Sequence, residues 1–259
     1  MRTTAGETEI HYVEHGAGRP VLVLHGAGVD HRESEACFEP AFAGVAGFRR
    51  IYPDLPGMGQ TPLADEMRSA EDVLDTLLEF SGEVTGGTQY LVIGHSAGAY
   101  YARAMAAREP GKVAGLALFC PLLSGPRDVP EHQVVVGSAE LCDDDFRSYF
   151  VVHTPQMLER YERYVRPAAA LVDWTGLERI GERWELAPAP GPTYEGPTLV
   201  VAGRRDSIVG YAAAADLVDH YARVSLAVLD DAGHALPHEQ PEVLRALVAE
   251  WLTRVRRST

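Results

Sequence analysis

Leu91-Val92-Ile93-Gly94-His95-Ser96-Ala97-Gly98 is the stretch on which the reading of this chain turns. The apolar run at its start reads as a strand buried on both faces. The small-residue run Ala97 to Arg108 reads as a helix, stopped by Pro110-Gly111. A serine flanked by glycines at a strand-to-helix turn matches the G-x-S-x-G pattern, in which a sharp turn lifts a nucleophilic hydroxyl above the sheet. Side chains at 94 and 98 would collide with neighbouring backbone. The free N–H groups at the start of the helix point at the same spot.

Outward from this turn, strand-like and helix-like segments alternate. Ile10 to Glu14, Val21 to Leu24, Phe48 to Pro53, Val113 to Cys120, Thr198 to Ala202 and Val224 to Leu229 read as strands. Ser69 with Asp72 three residues on reads as a capping box, and Val73, Leu74, Leu77 and Leu78 form one apolar face behind it. Pro241 suits a first helical position, and Val243, Leu244, Leu247, Val248, Trp251 and Leu252 make the stripe that follows. Buried strands separated by amphipathic helices imply an α/β fold with a mostly parallel, doubly wound sheet. From about 122 to 192 the alternation stops, and the stretch is too long for a structureless loop in a compact domain. This predicts a core over residues 1–121 and 193–259, with 122–192 inserted as a mainly helical cap.

Composition narrows the partners. A net charge of −14 repels phosphate backbones and anionic lipid, so neither nucleic acid nor a membrane is an expected partner. Cys37, Cys120 and Cys142 are widely spaced and suggest neither a disulfide framework nor a zinc site. No apolar run reaches signal or membrane-spanning length. The expected setting is the cytoplasm, the expected partner a small-molecule substrate, and no metal or organic cofactor is implied. No pattern sets an oligomeric state.

A serine hydroxyl needs an adjacent base. Of the 10 histidines, His234 lies in Asp230-Asp231-Ala232-Gly233-His234, after the last strand and before the final helix, where an open α/β sheet keeps its ligand crevice. His11, His15, His132, His153, His220 and His238 read as surface or packed residues. An imidazole base needs a carboxylate to fix its tautomer. Asp206, just past Thr198 to Gly203, is the first choice; Asp230 and Asp231 compete but share the loop of His234 and suit turns. The oxyanion needs backbone donors. Ala97 follows the nucleophile, and Ala27 lies in the early glycine loop His25-Gly26-Ala27-Gly28. Gly26, His95, Phe146, Tyr149, Phe150 and Trp174 are expected around the substrate, the aromatics as an apolar roof.

Taken together, Leu24 to Gly28, Asp54-Leu55-Pro56-Gly57-Met58-Gly59, Gly94 to Gly98, Gly203-Arg204-Arg205-Asp206 and Ala232-Gly233-His234 resemble the α/β-hydrolase superfamily, in its lidded branch of esterases, lactonases and C–C bond hydrolases. The resemblance implies the Ser–Asp–His order found here and hydrolysis through an acyl-enzyme on Ser96. Ser96 stands where epoxide hydrolases and haloalkane dehalogenases carry aspartate. His95 and Ala235 stand where the C–C hydrolases of aromatic degradation usually carry asparagine and tryptophan. The HGGPG loop of proline iminopeptidases is absent. Ester or lactone hydrolysis is therefore the leading expectation, with C–C hydrolysis, a non-hydrolytic cyclase or a catalytically dead binding protein as alternatives.

Overall fold

A computed structural model describes residues 1–125, 128–137, 141–189 and 193–258. The strands are β1 (Arg2–Ala5), β2 (Thr8–Gly16), β3 (Arg19–Leu24), β4 (Phe48–Pro53), β5 (Tyr90–His95), β6 (Val113–Phe119), the two-residue β7 (Val136–Gly137) and β8 (Val152–His153), β9 (Thr198–Gly203) and β10 (Val224–Leu229). Eight of them form one sheet in the order β1-β2-β4-β3-β5-β6-β9-β10. β1 with β2 and β2 with β4 pair antiparallel; every later pair is parallel. This is the α/β-hydrolase fold.

Alternation along the central strands explains the layering. Leu22 and Leu24, Val92, Leu116 and Leu118, and Val200 and Ala202 pack to one side, against α2 (Ala70–Thr85) and α3 (Ala97–Arg108). Val21 and Val23, Leu91 and Ile93, Ala117 and Phe119, and Leu199 and Val201 pack to the other. There they meet α1 (His31–Phe38) and the C-terminal helix, whose Leu244, Val248, Trp251, Leu252 and Val255 are buried. Successive residues thus serve opposite cores, which is why each central strand is apolar throughout.

The helices start where the sequence places them. Ser69 caps α2 by accepting from the Asp72 N–H, while the Asp72 carboxylate accepts from the Ser69 hydroxyl and the Arg68 N–H, a variant of the expected capping box. β1 was not read in the sequence: its four residues carry one buried side chain and no apolar run.

Beyond β6 the described part of 122–192 holds, besides β7 and β8, the helices α4 (Asp144–Tyr149), α5 (Pro155–Arg160), a π turn over Tyr161–Val165, α6 (Arg166–Ala169) and α7 (Trp174–Gly181), joined by irregular chain. α4 to α6 enclose their own apolar cluster of Phe146, Phe150, Met157, Tyr161, Val165 and Ala168, closed by Val29 and Ala235 of the main body. α7 is tied to the body directly. The Asp173 N–H donates to the Gly57 carbonyl at 2.9 Å, and the Arg179 guanidinium donates to the carbonyls of Met67 and Ala64. After β9 come α8 (Ala212–Ala215) and α9 (Leu217–His220); after β10 come α10 (Leu236–Glu239) and α11 (Pro241–Arg257). No helix among the described residues is long and apolar enough to cross a membrane.

Candidate active site

Ser96 sits between β5 and α3 with φ 54° and ψ −117°, a conformation that L-residues rarely adopt. The turn is locked by its surroundings. Ser96 N–H donates to the Phe119 carbonyl at 3.0 Å, and the Ser96 carbonyl accepts from Tyr100 and Leu122. A methyl on Gly94 would lie 2.3 Å from the Gly98 carbonyl oxygen, and one on Gly98 would lie 2.3 Å from that of Leu24, so both positions require glycine.

His234 reaches the serine from the loop after β10. Its Nε2 accepts from Ser96 Oγ at 2.9 Å, and its Nδ1–H donates to Asp206 Oδ2 at 2.8 Å. Asp206 is fully buried, and its second oxygen accepts from the N–H groups of Ile208 and Val209 at 2.9 and 3.0 Å. Burial pushes the Asp206 pKa up, but the adjacent His234 and these backbone donors outweigh it, so the carboxyl stays below its ordinary range. Asp230 and Asp231 do not compete: Asp230 faces Arg204 and Arg205 at the surface, and the Asp231 backbone carbonyl accepts from Gln240.

Gly26 brings the early loop onto this group, since a methyl there would lie 3.3 Å from both Ser96 Cβ and His95 Nδ1. A cavity of about 780 Å³ opens beyond the loop, lined by Ala27, Gly28, Val29, Tyr149, Tyr161, Trp174 and Ile208 among others. Ser96 is not part of that lining. It is 8% exposed, while Trp174, 55% exposed, lies against Gly28, where a methyl would come within 3.3 Å of the indole ring.

The sequence pattern of the alpha/beta hydrolase family matches residues 21–247. This chain belongs to that family. It is 25% identical over 282 aligned positions, covering 95% of this chain and 92% of its counterpart, to 2-hydroxy-6-oxononadienedioate/2-hydroxy-6-oxononatrienedioate hydrolase 2 of Pseudomonas putida. A shorter stretch of 105 residues, 40% of this chain and 38% of the relative, is 30% identical to pimeloyl-[acyl-carrier protein] methyl ester esterase of Legionella pneumophila (strain Paris). The alpha/beta superfamily hydrolase from Oenococcus oeni PSU-1 superposes with a TM-score of 0.90 at 26% identity, over 99% of both chains. The chain is an enzyme of the α/β-hydrolase type.

Two expectations about this hydrolase are corrected by where the side chains lie. Phe146 and Phe150 are fully buried and stack at 5.1 Å in the interior of the α4–α6 cluster, so they build that cluster and do not line the cavity. His95 is buried beside His234, their rings 5.0 Å apart, and is not part of the lining of that cavity. Its Nε2–H donates to the His234 carbonyl at 2.9 Å, and burial, opposed by the charge of Glu33, pushes its pKa down to about 4. It therefore holds the His234 loop as a neutral ring. Of the expected aromatics, Tyr149 and Trp174 do line the cavity.

Three carboxylates around the site were not picked out from the sequence for these roles. Asp54 accepts from His11 Nδ1, from His31 Nδ1 and its backbone N–H, and from the Gln60 N–H, which fixes the Asp54–Gly59 turn. Glu239 accepts from the Gly233 N–H at 2.7 Å and from Val151 and Val152 at 2.7 and 3.2 Å, joining the His234 loop to the strand after α4. Glu33 on α1, fully buried, accepts from His238 Nε2 at 3.0 Å and from the Tyr149 hydroxyl at 3.3 Å; Arg160 Nε–H donates to His238 Nδ1 at 2.9 Å. The pairing of His11 with Asp54 and of His238 with Glu33, and the backbone donors that Glu239 gathers, come together only on folding.

Among the described residues, three groups could by geometry gather around a cation: His95, Cys120 and His234; His11, His31 and Asp54; and Glu33, Cys37 and His238. In each, at least one ring nitrogen is already committed to a hydrogen bond within the chain.

The Glu33 contact yields a pH prediction. Burial would raise its pKa, but the hydrogen bond and charge of His238 outweigh that and bring it down to about 2. A carboxyl whose folded pKa lies below its unfolded value stabilises the fold when ionised. That contribution is complete above about pH 4.5 and is lost as pH falls towards 2. Urea unfolding at stepped pH should show wild type losing stability through this window more steeply than Glu33→Gln. Parallel curves for the two proteins would contradict the assignment.

Proposed function

We infer that this hydrolase cleaves an uncharged carboxylic ester or lactone with a largely apolar body, through an acyl-enzyme on Ser96. The observation that carries the reading is the unbroken hydrogen-bond chain Ser96–His234–Asp206 on a serine held in a strained turn. In the first half-reaction His234 Nε2 takes the hydroxyl proton as Ser96 Oγ attacks the carbonyl carbon. The negative oxygen is met by the N–H groups of Ala27 and Ala97. Asp206 stabilises the imidazolium without taking its proton. The C–O bond breaks, and the alcohol leaves with the proton from His234. Water then gives a proton to His234 as it attacks the acyl carbon, and Ser96 recovers its proton as the acid departs.

The helical segment within 122–192 serves in this reading as a cap that supplies the substrate wall. Val29, Val129, Tyr149, Val165, Trp174 and Ile208 give that wall an apolar character. Its ionisable members are Glu131, His132, Asp145 and the phenol of Tyr161 with that of Tyr149; no arginine or lysine among the described residues lines it. This disfavours an anionic substrate. The Pseudomonas putida relative is named for a dioate, so the near full-length likeness to it keeps C–C hydrolysis as the second reading, yet among the described residues this wall offers no arginine or lysine to a second carboxylate.

Asp206→Asn should lower kcat on a p-nitrophenyl ester by about 10⁴-fold, the loss known for the analogous change in the serine-protease triad, while Asp231→Asn stays near wild type. The reverse ranking in two folded variants would move the role of the acid to the His234 loop.

Tyr149→Phe and Trp174→Ala should separate packing from chemistry across esters of increasing acyl length. Trp174→Ala should lower kcat/KM on long esters by about 10–100-fold more than on acetate esters, because a lost apolar contact costs on the order of 1–3 kcal/mol in discrimination. Equal losses on short and long esters would make Trp174 a structural residue, and faster turnover of charged than of neutral esters would overturn the apolar reading.

A further inference from the structure

A second cavity, of about 530 Å³, lies on the far turns of α3, away from Ser96. Its lining combines Arg103 with the hydroxyl-bearing Tyr194 and Tyr221 and an apolar wall of Ala104, Ala107 and Leu186. The volume suits a small molecule.

Three observations give this cavity a sign. The Arg103 Nε and the Tyr194 hydroxyl are both buried, and neither has a hydrogen-bond partner among the described residues. A buried donor left unmade costs on the order of 1–3 kcal/mol, and these two sit on side chains that line one cavity. The Tyr221 hydroxyl also lies beside the Arg103 guanidinium: burial raises its pKa above the ordinary value, and the nearby cation only partly offsets that rise. Finally, no aspartate or glutamate lines the cavity among the described residues, in a chain whose net charge is −14. Arg108, also in the lining, is already held by Glu71 at 2.8 Å, which leaves Arg103 as the arginine of the described lining with no ion-pair partner.

We propose that this cavity is a second binding site for a carboxylate carried on a short apolar chain. The carboxylate accepts from Arg103 and the Tyr194 hydroxyl, a charge-assisted arrangement, and the chain lies against Ala104, Ala107 and Leu186. Phosphate monoesters fit less well, because the described lining offers one open guanidinium and an apolar wall. The proposal does not depend on which ester Ser96 cleaves.

Calorimetric titration of the full-length protein with octanoate tests it, with octanamide as the uncharged match. Octanoate should bind wild type, and Arg103→Ala should weaken it by at least about tenfold, the loss expected for a hydrogen bond to a charged group. Tyr194→Phe, which keeps the ring, should weaken it several-fold; equal thermal melting of the variants shows that the fold is kept. Both variants should hydrolyse acetate esters at the wild-type rate, and octanoate at its binding concentration should not compete with the ester. An unchanged octanoate affinity in Arg103→Ala, equal binding of octanamide, no binding at all, or simple competition with the ester would each overturn the site.

Discussion

The backbone of Ser96 is the constraint on which the rest depends. A positive φ at a non-glycine residue costs on the order of 1–3 kcal/mol and persists only where the surroundings over-determine it. Here they do. The strands on either side of β5 supply one acceptor and the backbone that forbids a side chain at Gly98, while Gly94 and Gly98 press against one another across the turn. The sheet order that places β3 and β6 beside β5 is therefore what makes the serine stand clear. It also brings the loops after β3, β9 and β10 to one end, where Gly26, Asp206 and His234 converge.

Charge is buried at that end for a purpose that the apolar core cannot serve. Glu33, Asp54, Asp206 and Glu239 lie beneath the surface, and each accepts from donors on segments far apart in sequence. A carboxylate can gather several N–H groups at once, whereas an apolar contact has no direction. Removing one partner of such a buried set is costly, which gives each loop one preferred position. Asp206 orients the imidazole, Glu239 fixes the loop that carries it, and Glu33 with His238 and Arg160 ties α1, α10 and α5 together.

The legible and illegible parts of this chain divide along physical lines. The central strands announced themselves because burial on both faces leaves no polar position in Val21 to Leu24 or Leu91 to Ile93. The Ser96 turn was legible because its glycines are forced by contacts within a few residues and between neighbouring strands. β1, polar and at the sheet edge, carried no such signal. The aromatics of 146–150 misled for a related reason: an aromatic that fills the interior of a small helical cluster and one that faces a substrate look alike in sequence. Only the fold separates Phe146 and Phe150 from Tyr149, which lies between them in the chain and turns towards the cavity. Glu239 and Glu33 were illegible because their partners lie 88 and 205 residues away.

The central claim is that the hydroxyl of Ser96 becomes covalently acylated during turnover. Rapid-quench mass spectrometry with an excess of p-nitrophenyl butyrate tests it most directly. The account predicts a burst of nitrophenol that matches the enzyme concentration, and a butyryl adduct on the peptide containing Ser96 that disappears in Ser96→Ala. Turnover with no adduct, or an adduct on any other residue that survives Ser96→Ala, would contradict it.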